Sequence, residues 1–187
     1  MPQFTTDRFL VRAIKPSDIH FIHKGLSNPR VVRYYGTSYS TVEDTKIQMD
    51  WYEQIVREST GQWFAIMSLD DKTFYGAAGF CNWHKRYQRA EIGIWLLPDY
   101  WRRGIMREVF PPLCTWGYNA MNLFRIEATV EGGNENCIRA IERVYFTHEG
   151  TMRAAEIKHG NYIDLRIYSR LVMDDTPPII PKKRTFF

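Results

Sequence analysis

The sequence predicts a mixed α/β fold: a mostly antiparallel seven-stranded sheet with one central parallel, splayed strand pair and flanking helices. Three observations carry this. Strand-like and helix-like segments follow one another in the order β-α-α-β-β-β-α-β-α-β-β. The helix-like segment between the fourth and fifth strands requires a parallel crossover inside an otherwise antiparallel sheet. The remaining strands are joined by short polar turns, Asp70-Asp71-Lys72 and His159-Gly160-Asn161, which suit hairpins.

Each element has a local reason. Residues 9–14 (Phe-Leu-Val-Arg-Ala-Ile) are β-branched and apolar enough for a first strand. Pro16-Ser17-Asp18 opens a helix to about Leu26, with Ser17 or Asp18 capping, and Asn28-Pro29 breaks it before a short helical turn through Val32. Thr41 with Glu43 and Asp44 resembles a capping arrangement for a helix to about Glu58, whose apolar stripe is Ile47, Trp51, Ile55 and Val56. Strands follow over 62–69, 73–82 and 87–97. A helix from about Trp101 to Met121 contains Pro111-Pro112, a pair expected to kink or split it. The strand 124–130, the turn Glu131-Gly132-Gly133, a helix 134–144 that Asn134 is placed to cap, and strands 146–158 and 162–172 complete the domain.

A chain of 187 residues suits one domain with a core large enough to need no disulfide or metal. We read 1–173 as that domain and 174–187 as a Pro-rich, basic tail. No apolar run approaches the roughly 20 residues of a membrane span, and the N-terminal residues lack a signal-peptide pattern. Cys81, Cys114 and Cys137 form neither a disulfide framework nor a metal-ligand spacing, so no metal is expected and the compartment is expected to be cytoplasmic. The net charge of +4 mildly favours an anionic ligand, but both signs are dispersed, which argues against nucleic acid.

The stretch Pro98-Asp99-Tyr100-Trp101-Arg102-Arg103-Gly104-Ile105-Met106-Arg107 follows an apolar strand and enters a helix. Free N–H groups at a helix start, the helix dipole and a glycine that lets a ligand approach the backbone together make a phosphate cradle.

The loop from Tyr100 to Met106 resembles the acyl-CoA pyrophosphate loop of the GNAT N-acetyltransferase superfamily, whose motif is Gln or Arg, two variable residues, Gly, one variable residue, then Gly or Ala. Here Trp101 stands first, Gly104 keeps the central glycine and Met106 takes the small-residue place. The segments Leu123 to Ala128, Asn134 to Arg139, Val144 to Gly150, His159 to Asp164 and Tyr168-Ser169 resemble the RimJ/RimL-like branch, which contains the ribosomal-protein N-terminal acetyltransferases. The resemblance implies acetyl-CoA as co-substrate. Its pantetheine arm would pair with the backbone of Ile94, Trp95 and Leu96, and its pyrophosphate would sit on the amides of Arg102, Arg103, Gly104, Ile105, Met106 and Arg107. Arg139 or Arg143 would meet the 3′-phosphate, with Asn134 either a ligand or only a helix cap.

Amide formation needs a neutral amine, a stabilised oxyanion and a protonated leaving thiolate. A lysine-like amine costs ~4 kcal/mol to deprotonate near neutral pH, an α-amine well under 1. Glu91 is one candidate base, on the strand beside the cofactor arm, against a rim pairing with Arg89 or Lys85. Glu156 is another: in the RimL-like pattern a glutamate there acts through water with a serine, whose place Cys137 takes. A thiol is a poor hydrogen-bonding partner for water, and direct attack is favoured over an acetyl-cysteine. Glu127 reads as a sheet-edge charge. The family's leaving-group tyrosine is replaced by Ile141, and Tyr145, where the family has glycine, reads as packing. Trp83, His84, Tyr34, Tyr35 and Trp95 are candidates to line the acceptor side. The expectation is acetyl transfer to an amine acceptor, first the α-amino group of a protein or peptide, then a small amine. The alternative is a non-catalytic acetyl-CoA-binding sensing module. A homodimer is left open.

Overall fold

The computed structural model describes residues 2–175, so the tail from 176 onward lies outside the described residues. The strands are β1 (Gln3–Thr5), β2 (Phe9–Ala13), β3 (Gln62–Ser68), β4 (Phe74–His84), β5 (Arg89–Leu96), β6 (Arg125–Glu131), β7 (Thr147–Lys158) and β8 (Asn161–Leu171). The α-helices are α1 (Ile19–Leu26), α2 (Pro29–Val32), α3 (Val42–Arg57), α4 (Ile105–Ala120) and α5 (Glu135–Glu142). The sheet order is β1-β2-β3-β4-β5-β6-β8-β7, antiparallel everywhere except between β5 and β6. It has eight strands rather than seven. The extra one, β1, is three residues long and too short for a periodic signature, yet Phe4 pairs opposite Val11.

Alternation along the strands divides the core in two. Phe64 and Ile66 of β3 point to the face covered by Ile105, Val109, Phe110 and Leu113 of α4 and Ile138 and Ile141 of α5. Trp63, Ala65 and Met67 point to the other, covered by Ile22 and Leu26 of α1 and Tyr52 and Ile55 of α3. The first helix is seated very closely: a Cβ on Gly25 would lie 2.0 Å from the Trp95 ring. Pro111 and Pro112 do not split α4, which is continuous from Ile105 to Ala120. The carbonyls the prolines leave without donors, those of Arg107 and Glu108, belong to the first turn and to residues that are exposed or half-buried, where solvent can meet them.

Two ionic clusters fix the frame. Arg12, buried in β2, makes a double contact with buried Asp18 (2.7 and 2.9 Å) and reaches Asp71 of the β3–β4 turn at 2.7 Å. At the foot of the parallel pair, Glu127 of β6 takes Arg89 of β5 at 2.7 Å and Arg125 at 2.8 Å, while Arg125 grips Glu149 of β7, which also accepts from Ser169 of β8 at 2.7 Å.

Arg12→Ala strands a buried carboxylate and should cost about 3–5 kcal/mol in urea denaturation. Arg125, and then Ser169, hold the Glu149 carboxyl down at about 2 from an ordinary 4.5. A depressed carboxyl contributes stability above its unfolded value, and that contribution is lost as pH falls from 4.5 toward 2. Arg125→Met should return Glu149 to the ordinary carboxylate range by NMR titration. The neutral-pH loss should be only about 1 kcal/mol, because the pair is solvent-screened.

Candidate active site

The parallel ladder between β5 and β6 pairs Arg89 with Arg125, Ala90 with Ile126 and Glu91 with Glu127, and ends there. Beyond it β6 continues beside β8 alone, while β5 continues beside β4 alone. The gap is the splay expected from the crossover. Which backbone groups face it follows from the pleat. Leu97 N–H donates to Tyr75 O at 2.9 Å, and a Cβ on Gly76 would lie 2.2 Å from Trp95 O, so residues 95 and 97 turn their polar groups to β4. Ile94 and Leu96 therefore turn theirs to the gap. Trp95 offers it nothing, which corrects the expected backbone pairing at that residue; its side chain is buried in the core. The Leu96 carbonyl is already occupied, accepting from Trp101 Nε1 at 2.8 Å. That contact gives Trp101 its work at the motif's first position: it ties the loop to the strand end. Arg30 of α2 lies over the same indole at 4.9 Å.

The helix begins later than the sequence suggests, at Ile105, after a 3₁₀ turn over Pro98–Tyr100. Gly104 is the N-cap, left-handed at φ +74°, and Arg102 is also left-handed at +61°. Among the described residues the amides of Arg102 to Arg107 find no acceptor, and the first bond of the helix runs from Glu108 N–H to Gly104 O at 3.1 Å. Arg102, Arg103 and Arg107 are exposed around them, while Ile105 is buried and Met106 packs on the core, which anchors the helix start. Successive free amides with flanking cations form an anion receptor.

On α5, Asn134 is a helix cap, its Oδ1 accepting from Cys137 N–H at 3.2 Å. Arg139 is engaged locally, donating to Asn136 at 3.0 Å with Glu135 at 3.9 Å. Arg143 is exposed at the helix end. Tyr145 does not pack: it is 75% exposed and left-handed at φ +65°. The backbone there takes the conformation glycine adopts most easily, which accounts for the glycine usual at that position.

The candidate bases separate. Glu91 sits at the last rung before the gap, and Asn82 Nδ2 donates to it at 3.0 Å. Arg89 goes to Glu127 instead, so the expected rim pairing of Glu91 does not form. Asn82 had no sequence signal: it reaches Glu91 because β4 bulges between Cys81 and His84, with Asn82 left-handed at φ +52°. Glu156 is exposed on β7 opposite Ile163, and Cys137 packs against the core from α5. Burial pushes the Cys137 thiol up to about 11, which leaves it neutral and a poor nucleophile.

Pro29, Arg33 and Tyr34 face Glu131, Lys158 and His159 across a cavity of about 470 Å³. Lys158 and Glu131 form an ion pair. Tyr34 Oη donates to Gly133 O at 3.1 Å, bridging the segment after α2 to the β6–α5 turn. Tyr35 is held in its neutral form by desolvation, then by Cys81 and Tyr39. His84 lies tilted against Tyr87 at the surface, and Trp83, packed against the core, carries Lys85 on its face. Among the described residues no cluster of metal-ligating side chains occurs, and no helix is long and apolar enough to cross a membrane.

Residues 8–147 match the acetyltransferase (GNAT) domain family. The uncharacterized N-acetyltransferase YoaA of Bacillus subtilis (strain 168) is 31% identical over 90% of this chain and 96% of its own. A ribosomal-protein-alanine acetyltransferase of Vibrio fischeri superposes with a TM-score of 0.82 at 21% identity, covering 95% of this chain and all of that one. A spermidine N-acetyltransferase of Vibrio cholerae, solved with CoA and spermine, gives 0.78 at 19% identity over 87% and 95%. With the splayed strand pair and the glycine-capped anion loop in their expected order, the chain belongs to the GNAT family of N-acetyltransferases, and it resembles the RimJ/RimL-like branch within it.

Proposed function

We propose that the protein transfers the acetyl group of acetyl-CoA by direct attack to a primary amine, with the α-amino group of a protein or peptide as the preferred acceptor. The observation that carries the reading is the continuity of two features. A row of unpartnered amides from Arg102 to Arg107 stands at the end of the strand whose inner edge, at Ile94 and Leu96, has no strand opposite. The first suits a pyrophosphate, and the second suits the amides of a pantetheine arm lying as a short strand.

From Leu96 back to Glu91 the strand runs about 17 Å, at ~3.3 Å per residue. An extended arm entering at the loop brings its thioester near the last rung. Glu91 is then the base: its carboxylate, oriented by Asn82, takes the proton as the amine nitrogen attacks the thioester carbon. The N–H of Ile94, the inner-edge amide nearer that rung, is the donor for the oxyanion. The tetrahedral intermediate collapses with cleavage of the C–S bond, and the CoA thiolate takes up, through water, the proton that Glu91 accepted, which returns the carboxylate to its starting state. An α-amine asks only a modest base, in keeping with one half-exposed glutamate.

Two readings of the rest of the chain follow. Cys137 forms no acyl intermediate, since its thiol is half-buried against the core and neutral. Glu156 is secondary, since it is solvent-exposed and stands opposite Ile163, away from the last rung.

The deciding experiment is thiol release from acetyl-CoA against a panel of peptides and amines. No turnover with any acceptor, alongside tight cofactor binding, would leave a sensing module in place of an enzyme. Glu91→Gln should lower kcat about 10²-fold with acetyl-CoA affinity nearly constant, and Glu156→Gln should lower it far less; the reverse order would move the base. Gly104→Asp should weaken acetyl-CoA about tenfold or more by calorimetry, through like charge beside the phosphates. Gly104→Asn is the control, because it meets the same strain at φ +74° with nearly the size of Asp and without its charge. Mass spectrometry of enzyme quenched during turnover should find no acetylated Cys137.

A further inference from the structure

The first turn of α4 holds a carboxylate, Glu108, one residue past the amides assigned to the cofactor. A bare negative charge there would oppose any anion at the helix start. Glu108 is not bare. The turn between β1 and β2 reaches over to it: Thr6 Oγ1 donates to Oε1 at 2.6 Å, Arg8 N–H to the same oxygen at 2.9 Å, and Arg8 Nε to Oε2 at 2.6 Å. Desolvation acts to raise the Glu108 carboxyl, but these donors prevail and hold it below its ordinary range.

The same guanidinium also touches the loop. Arg8 Nη2 donates to Arg103 O at 3.2 Å, and a Cβ on Gly104 would stand 3.7 Å from that nitrogen. Arg103 lies between the two left-handed residues, Arg102 and Gly104, a conformation that is costly for arginine and persists only when its surroundings hold it. The Arg8 side chain is about half exposed, so as a surface ion pair it would add little to stability. Its contacts are better explained by what they hold.

Resting on the assignment of this loop to the cofactor pyrophosphate, we propose that Arg8 is a positioning residue for acetyl-CoA. It pins Arg103–Gly104 in the turn that frees the loop amides, and it cancels the Glu108 charge beside them. The cofactor site thus includes a segment close to the beginning of the chain, outside the motif that marks it.

The test compares kcat/KM for acetyl-CoA and for S-acetylpantetheine, a donor without pyrophosphate, using one amine throughout. In Arg8→Gln the preference for acetyl-CoA should fall about tenfold, expressed in KM rather than kcat. Arg8→Lys should keep part of it, and adding Glu108→Gln to Arg8→Gln should restore part of the loss. A preference unchanged in Arg8→Gln, whatever happens to Tm, overturns the proposal and leaves Arg8 as a fold brace. Should Arg8→Gln not fold, Glu108→Gln alone decides. An uncompensated Arg8 should then raise the preference for acetyl-CoA severalfold, and no rise overturns the proposal. A wild-type enzyme with no preference between the two donors would instead overturn the assignment of the loop itself.

Discussion

The parallel ladder of Arg89, Ala90 and Glu91 against Arg125, Ile126 and Glu127 is the constraint on which the functional half of the molecule rests. Longer, it would close the gap; absent, the sheet would fall into two. The ionic chain Arg89–Glu127–Arg125–Glu149 crosses β5, β6 and β7 at that point, with Ser169 of β8 attached. The short ladder is therefore a fixed vertex. Above it the strands part around the turn that leads into α4, and backbone polar groups on the inner edge of β5 are left without a strand. Unpaired backbone groups are costly unless water or a ligand meets them. The site follows from the topology, before any side chain is considered.

Much of the cofactor side was legible because its signals are local. The run from Pro98 to Arg107 carries its own glycine, cations and helix start, and the crossover follows from element order. What the sequence missed was set by distance or by parity. β1 is too short to show a period. Trp95 reads like its neighbours, but the pleat turns its backbone to β4. Asn82 meets Glu91 only through a bulge. Thr6 and Arg8 meet Glu108 across most of the chain, with nothing in either segment to announce the other. The paired prolines failed as helix breakers because the acceptors they free lie in the first turn, within reach of water.

The cavity between α2 and the β7–β8 turn has a different physical character. The helix face that bears on the sheet is rigidly placed, by the Arg12–Asp18 pair and by the contact of Gly25 with Trp95. The rim beyond it is built from α2, the residues after it and the β7–β8 turn, where charges are paired across the opening, as in Lys158 with Glu131. A rim of short loops on so rigid a frame can vary without disturbing the core. The relatives named for a ribosomal-protein alanine and for spermidine share the fold and differ in acceptor.

The bridge from Tyr34 to Gly133 has a kinetic consequence. It is a single phenol–carbonyl hydrogen bond between exposed partners, and nothing larger than a side chain must move to break it. Exposed rotamers change within picoseconds to nanoseconds, whereas hinged lids open in microseconds to milliseconds. Parting those two lips therefore asks for a bond rotation rather than for a hinged motion of either segment.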